Sequence, residues 1–596
     1  MPRTELELLV SIRPQPWNYV VHCLGMTFLL GCIAGCGSKE ARSSSTLLIT
    51  FDTTRADALG CYGNEHNPSP NLDRLAAEGV LYERAYTPIP LTLPAHSSML
   101  TGLIPARHTV RNNGWPLPES ARTLAELARA EGVQTGAFVA AVVLDAHLGI
   151  AQGFDQFEAP AERPDANTTH YTERPAREVV DGAIGWLLDR DPERPYFLWV
   201  HVFEPHDPME PDEAFRSGRF KDQPYLGEVA TADREVGRLL DMMRSEGLLD
   251  ETFVMMTGDH GEAFGEHGEL SHGIYCYEPT MHVPLIIRNP SDPKAGERSQ
   301  VLTSTVDVMP TLAAAMGLKV PSQLDGLDLL GSEVSERNGI YVESYWGYLN
   351  FGWSPLTGWI DADGKYLHSS DPEFYALPSD AEEAHDLFQE RGTDWDPYRQ
   401  RIQNVLKRPA LQASSSQMDA DLLARIESLG YAGVGDAGTD LPHAMETVGR
   451  VSPKQGAPEH KKLLQAQALM NRGDHSKAAA IFEKVLSSNP SNFMALDNLS
   501  FCLMRLDRHS EAIQPLERIV EARPQRTNSF YNLAVCLWSA EQQERAIDTM
   551  WIAVRQDPSH PRYGADLIQF LRSESRLDEI VEVERLIETT QAETGQ

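Results

Sequence analysis

The sequence predicts an α/β body followed by an all-α superhelical array, and three observations carry that prediction. Apolar runs at Ser45–Phe51 (STLLITF), Tyr196–Phe203 (YFLWVHVF) and Thr252–Thr257 (TFVMMT) read as buried strands, each running into acidic or histidine residues. Between them lie helical patterns, such as the amphipathic stretch Asn71–Val80 closed by Gly79. Near the C-terminus, Pro490, Pro524 and Pro558 recur 34 residues apart, as do Ala478, Ala512 and Ala546. A chain of 596 residues exceeds one domain and suits two or three.

Composition narrows the partners. Hydrophobic content of 41% and charged content of 23% are ordinary for globular protein. The net charge of -34 repels nucleic acid and anionic headgroups, so no nucleic acid partner is expected. An anionic ester substrate would need local positive charge from a metal or from placed His and Arg residues.

Residues 1–36 read as a signal peptide. Val20–Ala34 is largely apolar, short for a membrane span, and has Arg13 upstream. It ends in Ile33-Ala34-Gly35-Cys36, which resembles the bacterial lipoprotein cleavage box and would leave Cys36 as the lipidated first residue. An ordinary signal peptide or an uncleaved anchor are the alternatives. Residues 37–44 are then a tether, and the expected location is extracytoplasmic, in the bacterial cell envelope and lipid-anchored to a membrane. Of the seven cysteines, those beyond this segment are scattered singly, which points to neither a disulfide framework nor a zinc knot.

The α/β body is assigned to residues 45–388. Asp52 stands at the carboxyl end of the first strand, where α/β sheets bind ligands; it is a metal ligand or a helix cap. Leu91–Gly102 reads as a short helix, with Pro94 in its first turn and Gly102 as its stop. Thr92 lies at the mouth, where free N–H groups favour an anion, and is an N-cap or a nucleophile. Asn113 precedes Gly114, as a turn residue or as a donor to an oxyanion. His201 lies near the end of the second strand and His206 just beyond it, and Asp259-His260-Gly261-Glu262 follows the third.

Phe51-Asp52, Gly60-Cys61-Tyr62-Gly63, Pro70–Gly79, Leu100-Thr101-Gly102 and Thr257-Gly258-Asp259-His260-Gly261-Glu262 together resemble the sulfatase family of the alkaline phosphatase superfamily. The resemblance covers about Ser45 to Phe388. It implies an alkaline-phosphatase-like mixed sheet flanked by helices, with a small C-terminal sheet at Asp361–His368 and Glu373–Leu377. Sulfatases carry Cys or Ser in a C/S-x-P-x-R signature, which is converted to formylglycine. Here Thr92-Leu93-Pro94-Ala95-His96 occupies the place and is more similar to the T-x-P-x-H of nucleotide pyrophosphatases/phosphodiesterases, where Thr attacks phosphorus directly.

By this resemblance Thr92, Asn113 and His206 are catalytic: nucleophile, oxyanion donor and leaving-group assistant. His201 and His272 contact substrate. Asp52, Thr92, Asp259 and His260 hold one divalent metal ion, zinc or manganese in preference to calcium because the donors mix carboxylate with imidazole. Thr53 stands where sulfatases place a second Asp, and no Asp-x-x-x-His pair near His201 offers a second metal.

Residues 389–457 read as a linker with one helix, and 458–596 as tetratricopeptide repeats, whose arrays bind a protein or peptide on a concave face. The function expected is a metal-dependent ester hydrolase acting best on phosphodiester or phosphonate esters. A phosphoethanolamine-type transferase is the alternative, ranked lower because such enzymes carry several N-terminal spans. A catalytically inactive surface scaffold would have lost Asp52, Asp259 or His260, and none is missing.

Overall fold

The computed structural model describes residues 44–160, 173–292, 294–377, 379–392, 395–414, 422, 426 and 441–594. The signal peptide, Cys36, nearly all of the tether and much of the linker lie outside the described residues.

The strands in chain order are β1 (Ser45–Phe51), β2 (Val80–Tyr82), β3 (Ala85–Tyr86), β4 (Gln134–Phe138), β5 (Gln156–Glu158), β6 (Tyr196–Val202), β7 (Thr252–Gly258), β8 (Leu285–Arg288), β9 (Glu297–Ser299), β10 (Thr303–Ser304), β11 (Ile340–Ser344), β12 (Leu356–Ile360), β13 (Lys365–His368) and β14 (Glu373–Tyr375). An eight-stranded sheet has the order β5-β4-β6-β1-β7-β8-β2-β9. It is parallel except at β8, which runs antiparallel to both of its neighbours. Strands β1, β6 and β7 are near-continuous apolar runs because helices cover both faces of the sheet. A four-stranded antiparallel sheet, β11-β12-β13-β14, follows, so the mixed and small sheets stand in the arrangement the sequence implies.

Central pairing sets the site. Thr50 pairs with His201 and Thr257, and Phe51 with Val202 and Gly258. The next residue on β1, Asp52, donates its N–H to Val202 O (3.0 Å), and Asp259 donates to Phe51 O (3.2 Å). Two carboxylates therefore emerge side by side at one sheet edge.

The small sheet is fastened to the region beside the site through a buried cation. Lys365 Nζ lies 2.8 Å from Glu278 Oε1 and 2.9 Å from Glu383 Oε1, and its side chain is fully buried. Removing one member of such a group strands the others without a counter-charge. Lys365→Met is expected to lower stability by about 3–5 kcal/mol, read by urea denaturation.

Beyond Ser452 the chain is helical: Pro453–Asn471, His475–Ser488, Phe493–Arg505, His509–Ala522, Thr527–Ser539, Gln543–Gln556, Tyr563–Ser573 and Leu577–Thr594. The first of these opens inside the stretch assigned to the linker, because Ser452 accepts the N–H of Gln455 as an N-cap and Pro453 fits the first position. Ala478, Ala512 and Ala546 are completely buried, and their small side chains let neighbouring helices approach. The array is seated on the body. Asn489 Nδ2 donates to Phe351 O at 2.7 Å, and Arg523 donates to Leu349 O. Glu459 Oε1 accepts from Trp353 Nε1, Asn489 Nδ2 and Asn492 Nδ2. A Cβ on Gly456 would stand 2.2 Å from Trp353, so only glycine allows this approach.

Candidate active site

The helix Thr92–Thr101 has every residue buried, and Gly102 closes it at φ 67° with its N–H on Ser98 O. Its first residue, Thr92, points a hydroxyl to within 3.3 Å of His260 Nε2. His260 Nε2 in turn lies 3.8 Å from Asp52 Oδ1 and 3.6 Å from Asp259 Oδ2. The Asp52, Thr92, Asp259 and His260 side chains, spread over the chain, thus converge at the strand ends.

Their hydrogen bonds leave the inward atoms free. Asp259 Oδ1 accepts from Thr53 N (3.1 Å) and His260 N (2.7 Å), while its Oδ2 and both Asp52 oxygens, though fully buried, have no hydrogen-bond partner among the described residues. Thr53 holds φ at 44°, a strained value for a β-branched residue, and so turns its N–H onto Asp259. His260 Nδ1 lies 3.0 Å from Gly261 O, which places the proton there and leaves the Nε2 lone pair facing the carboxylates. Burial pushes the Asp52 carboxyl up to about 7; burial, and next the Asp52 charge, raise Asp259 well above the carboxylate range. Burial also brings His260 down to about 3, keeping its ring neutral. Unpaired acceptor oxygens beside a neutral imidazole are a cation's donor set, with spacings of atoms that share one small ion at bonds of about 2.0 Å. The residues fit a divalent metal.

A second trio, His96, His201 and Asp259, also gathers within ligand distance. Its imidazoles have other duties. Trp199 Nε1 donates to Thr50 Oγ1 (2.9 Å), which leaves that hydroxyl's proton for His96 Nε2 (3.1 Å). His96 Nδ1 then donates to Thr92 O at 2.8 Å. Both nitrogens of His96 are thereby committed to holding the helix at Thr92. In the sequence His96 stands only as the residue in the signature's Arg position; the relay through Thr50 and Trp199 has no local signal. His201 is completely buried, with Nε2 3.4 Å from Asp52 Oδ2 and Nδ1 accepting from Ala140 N. It therefore stands behind the carboxylates.

Asn113 Oδ1 accepts the N–H of Leu93 (2.9 Å), which fixes the amide and leaves Nδ2 buried without a partner beside the start of the helix. On the outer side His272 lies over His260 with ring centroids 4.2 Å apart. His272 Nε2 meets His206 Nε2 at 3.3 Å. The Nδ1 atoms of these rings face Pro90 O (3.1 Å) and Asp207 O (2.7 Å), so each donates there. An Nε2–Nε2 contact then requires one further proton between the rings, and burial disfavours that charge on His272. Beyond this pair opens a cleft of about 1200 Å³.

The comparisons with known proteins add the family. Residues 44–318 match the sulfatase model, and residues 463–527 and 503–561 match the tetratricopeptide repeat.

Residues 44–318 belong to the sulfatase family.

The sulfatase domain contains every residue of the cluster, from Asp52 to His272. The chain is 24% identical to an arylsulfatase of Clostridium perfringens over 452 residues, 61% of this chain and 92% of that protein. It is 28% identical to human arylsulfatase A over 375 residues, 51% of this chain and 71% of that protein. Among solved structures, BT4656 in complex with D-glucosamine-2-N,6-O-disulfate superposes with a TM-score of 0.53 at 21% identity, covering 61% of this chain and 98% of that one. A phosphonate monoester hydrolase of Agrobacterium radiobacter superposes at 0.52 with 22% identity, covering 61% and 95%. Both structures share the fold of the sulfatase domain.

Proposed function

We propose that this chain is a metal-dependent hydrolase of sulfuric or phosphoric esters in which Thr92 is the nucleophile. The observation that carries the reading is the convergence of the Thr92 hydroxyl with the unpaired oxygens of Asp52 and Asp259 and with His260 Nε2. Asp52, Thr92, Asp259 and His260 would hold the ion, zinc or manganese before calcium, and when bound it lowers the pKa of the Thr92 alcohol and polarises the ester.

The chain's own groups account for the rest. The Thr92 alcohol gives its proton to water of the cleft, and its oxygen forms a bond to phosphorus or sulfur as the bond to the ester oxygen breaks. His206, through the proton shared with His272, protonates the departing alcohol. Asn113 Nδ2, held by the Leu93 N–H, donates to the non-bridging oxygen on which charge builds. Water then cleaves the Thr92 ester, its oxygen staying on phosphorus or sulfur, one of its protons restoring the Thr92 alcohol and the other the His206–His272 pair. His96 holds the carbonyl of Thr92 and so fixes the direction of attack.

A threonine in place of the residue oxidised in sulfatases favours phosphodiesters and phosphonates over sulfates. The test is metal analysis of the purified protein together with aryl sulfates, phosphodiesters and phosphonates. Turnover of aryl sulfates with none of phosphodiesters would overturn the preference, and no turnover of any ester would overturn the reading. Asn113→Ala is expected to lower kcat by about 10²–10³-fold with little change in KM, measured on the best ester. The Ile33–Cys36 box motivates an extracytoplasmic, lipid-anchored location, tested by metabolic labelling with a fatty acid in wild type and Cys36→Ala.

A further inference from the structure

We propose that the first repeat helices form one wall of the active-site cleft, and that this cleft takes an ester whose alcohol part has an apolar body and a cationic head. The inference rests on the hydrolase reading for where the ester group sits. The position of the alcohol part follows from the cleft itself.

The cleft starts at His206 and His272, next to the Thr92 cluster, and runs out between the sulfatase domain and the helices Pro453–Asn471 and Phe493–Arg505. At about 1200 Å³ it exceeds what a sulfuryl or phosphoryl group fills, so most of it serves the rest of the substrate. Leu463, Leu464 and Met494 of the repeats face this space together with Ile274 and Trp346 of the body. His460 of the same repeat helix also lines it, with a buried Nδ1 that has no hydrogen-bond partner. Because Glu459 and Gly456 lock this helix onto Trp353, the wall has a fixed position.

The opposite side is acidic. Glu173, Glu204 and Glu228 line it, and Glu204 Oε2 is buried without a partner. Burial raises Glu173 to about 7, helped next by the charges of Asp52 and Glu204, and raises Glu228 to about 8, helped by the charge of Glu204. A positive group arriving there relieves both. Among the described residues three arginines also line the cleft: Arg174 pairs with Glu158 through Nη2 while its Nη1 has no hydrogen-bond partner, Arg234 pairs with Asp212 and Glu235, and Arg177 is exposed; the acids there outnumber them. Carboxylates facing an apolar wall with an indole suit an ammonium group on a hydrocarbon or aryl body, and repel a polyanion.

The test uses the full-length protein and esters of three phenols bearing a 3-trimethylammonio, a 3-tert-butyl or a 3-carboxylate substituent. The first two have the same shape and differ in charge. Leu464→Lys places a cation in the wall, at a half-buried helix position that a long side chain tolerates. The variant-to-wild-type ratio cancels the differing reactivity of the phenols. For Leu464→Lys we expect kcat/KM on the ammonium ester to fall about tenfold or more through KM, the tert-butyl ester to fall less, and the carboxylate ester to hold or improve. Leu464→Met should keep the wild-type order. Calorimetric titration with 3-trimethylammoniophenol reads the same contact without turnover, and wild type should bind it about tenfold more tightly than Leu464→Lys. Equal effects on all three esters, or equal binding by both proteins, would overturn the cleft assignment while normal turnover left the hydrolase reading standing. Discriminating binding with no turnover would do the reverse, and failure of both arms would remove both.

Discussion

Thr92→Ala is expected to lower turnover of the best ester by about 10⁴-fold or more while leaving the unfolding transition within a few degrees of wild type. The magnitude is that of removing a covalent nucleophile and leaving the rest of its machinery in place. The fold should survive because the hydroxyl's one hydrogen-bond contact among the described residues is His260 Nε2, Asp52, Asp259 and His260 would still hold the ion, and the helix is held by other bonds: His96 on the Thr92 carbonyl, Asn113 on the Leu93 N–H and Ala95 on the Leu91 carbonyl. Thr92→Ser retains the nucleophile and should keep part of the rate. Activity of Thr92→Ala within tenfold of wild type would mean that water attacks the ester directly, and the covalent step would have to be abandoned.

Stripping the metal gives the second large effect. Chelation should abolish turnover and lower the unfolding temperature by several degrees, since a ligand at 100 to 1000 times its Kd adds about 3–4 kcal/mol to stability. Among the described residues no hydrogen-bond donor meets the inward oxygens of Asp52 and Asp259, and the charge of His206, which eases Asp52, does not offset burial, so a cation is what lets both stay ionised. Asp259→Asn keeps the Oδ1 acceptor for Thr53 N and His260 N but removes that charge. It should retain no metal, show no response of its melting temperature to added ion, and melt above the chelated wild type, because one of two crowded carboxylates is gone. Equal melting temperatures of chelated and as-purified wild type would sink the assignment of these residues to a metal.

Much of this arrangement could be read from the chain, for local reasons. Strand runs ending in Asp52, His201 and Asp259-His260 placed those groups at one sheet edge, because parallel strands between helices are apolar throughout and stop where polarity starts. The 34-residue spacing of Ala478, Ala512 and Ala546 marked the repeats, because small residues recur wherever helices press together. What escaped depends on partners far apart in sequence. His96 reads as a helix residue until Thr50 and Trp199 arrive from β1 and β6 to fix its proton. Glu459 looks like an exposed helical acid until Trp353, Asn489 and Asn492 are gathered around it. The composition of residues 389–457 reads as a linker with one helix, and only the three-dimensional contacts reveal that Pro453–Asn471 lies against the body.

The pairing of β1 with β6 and β7 restricts how this molecule can diverge. Asp52 and Asp259 are aimed by backbone bonds to Val202 O and Phe51 O, one step past strands matched residue for residue. A single-residue insertion within β1 would swing Asp52 to the far side of the sheet and dismantle the centre, whatever the rest of the chain did. Descendants of this sequence are therefore free to lengthen or rebuild the segments that rise from that edge, and have almost no freedom in the length of the strands beneath it.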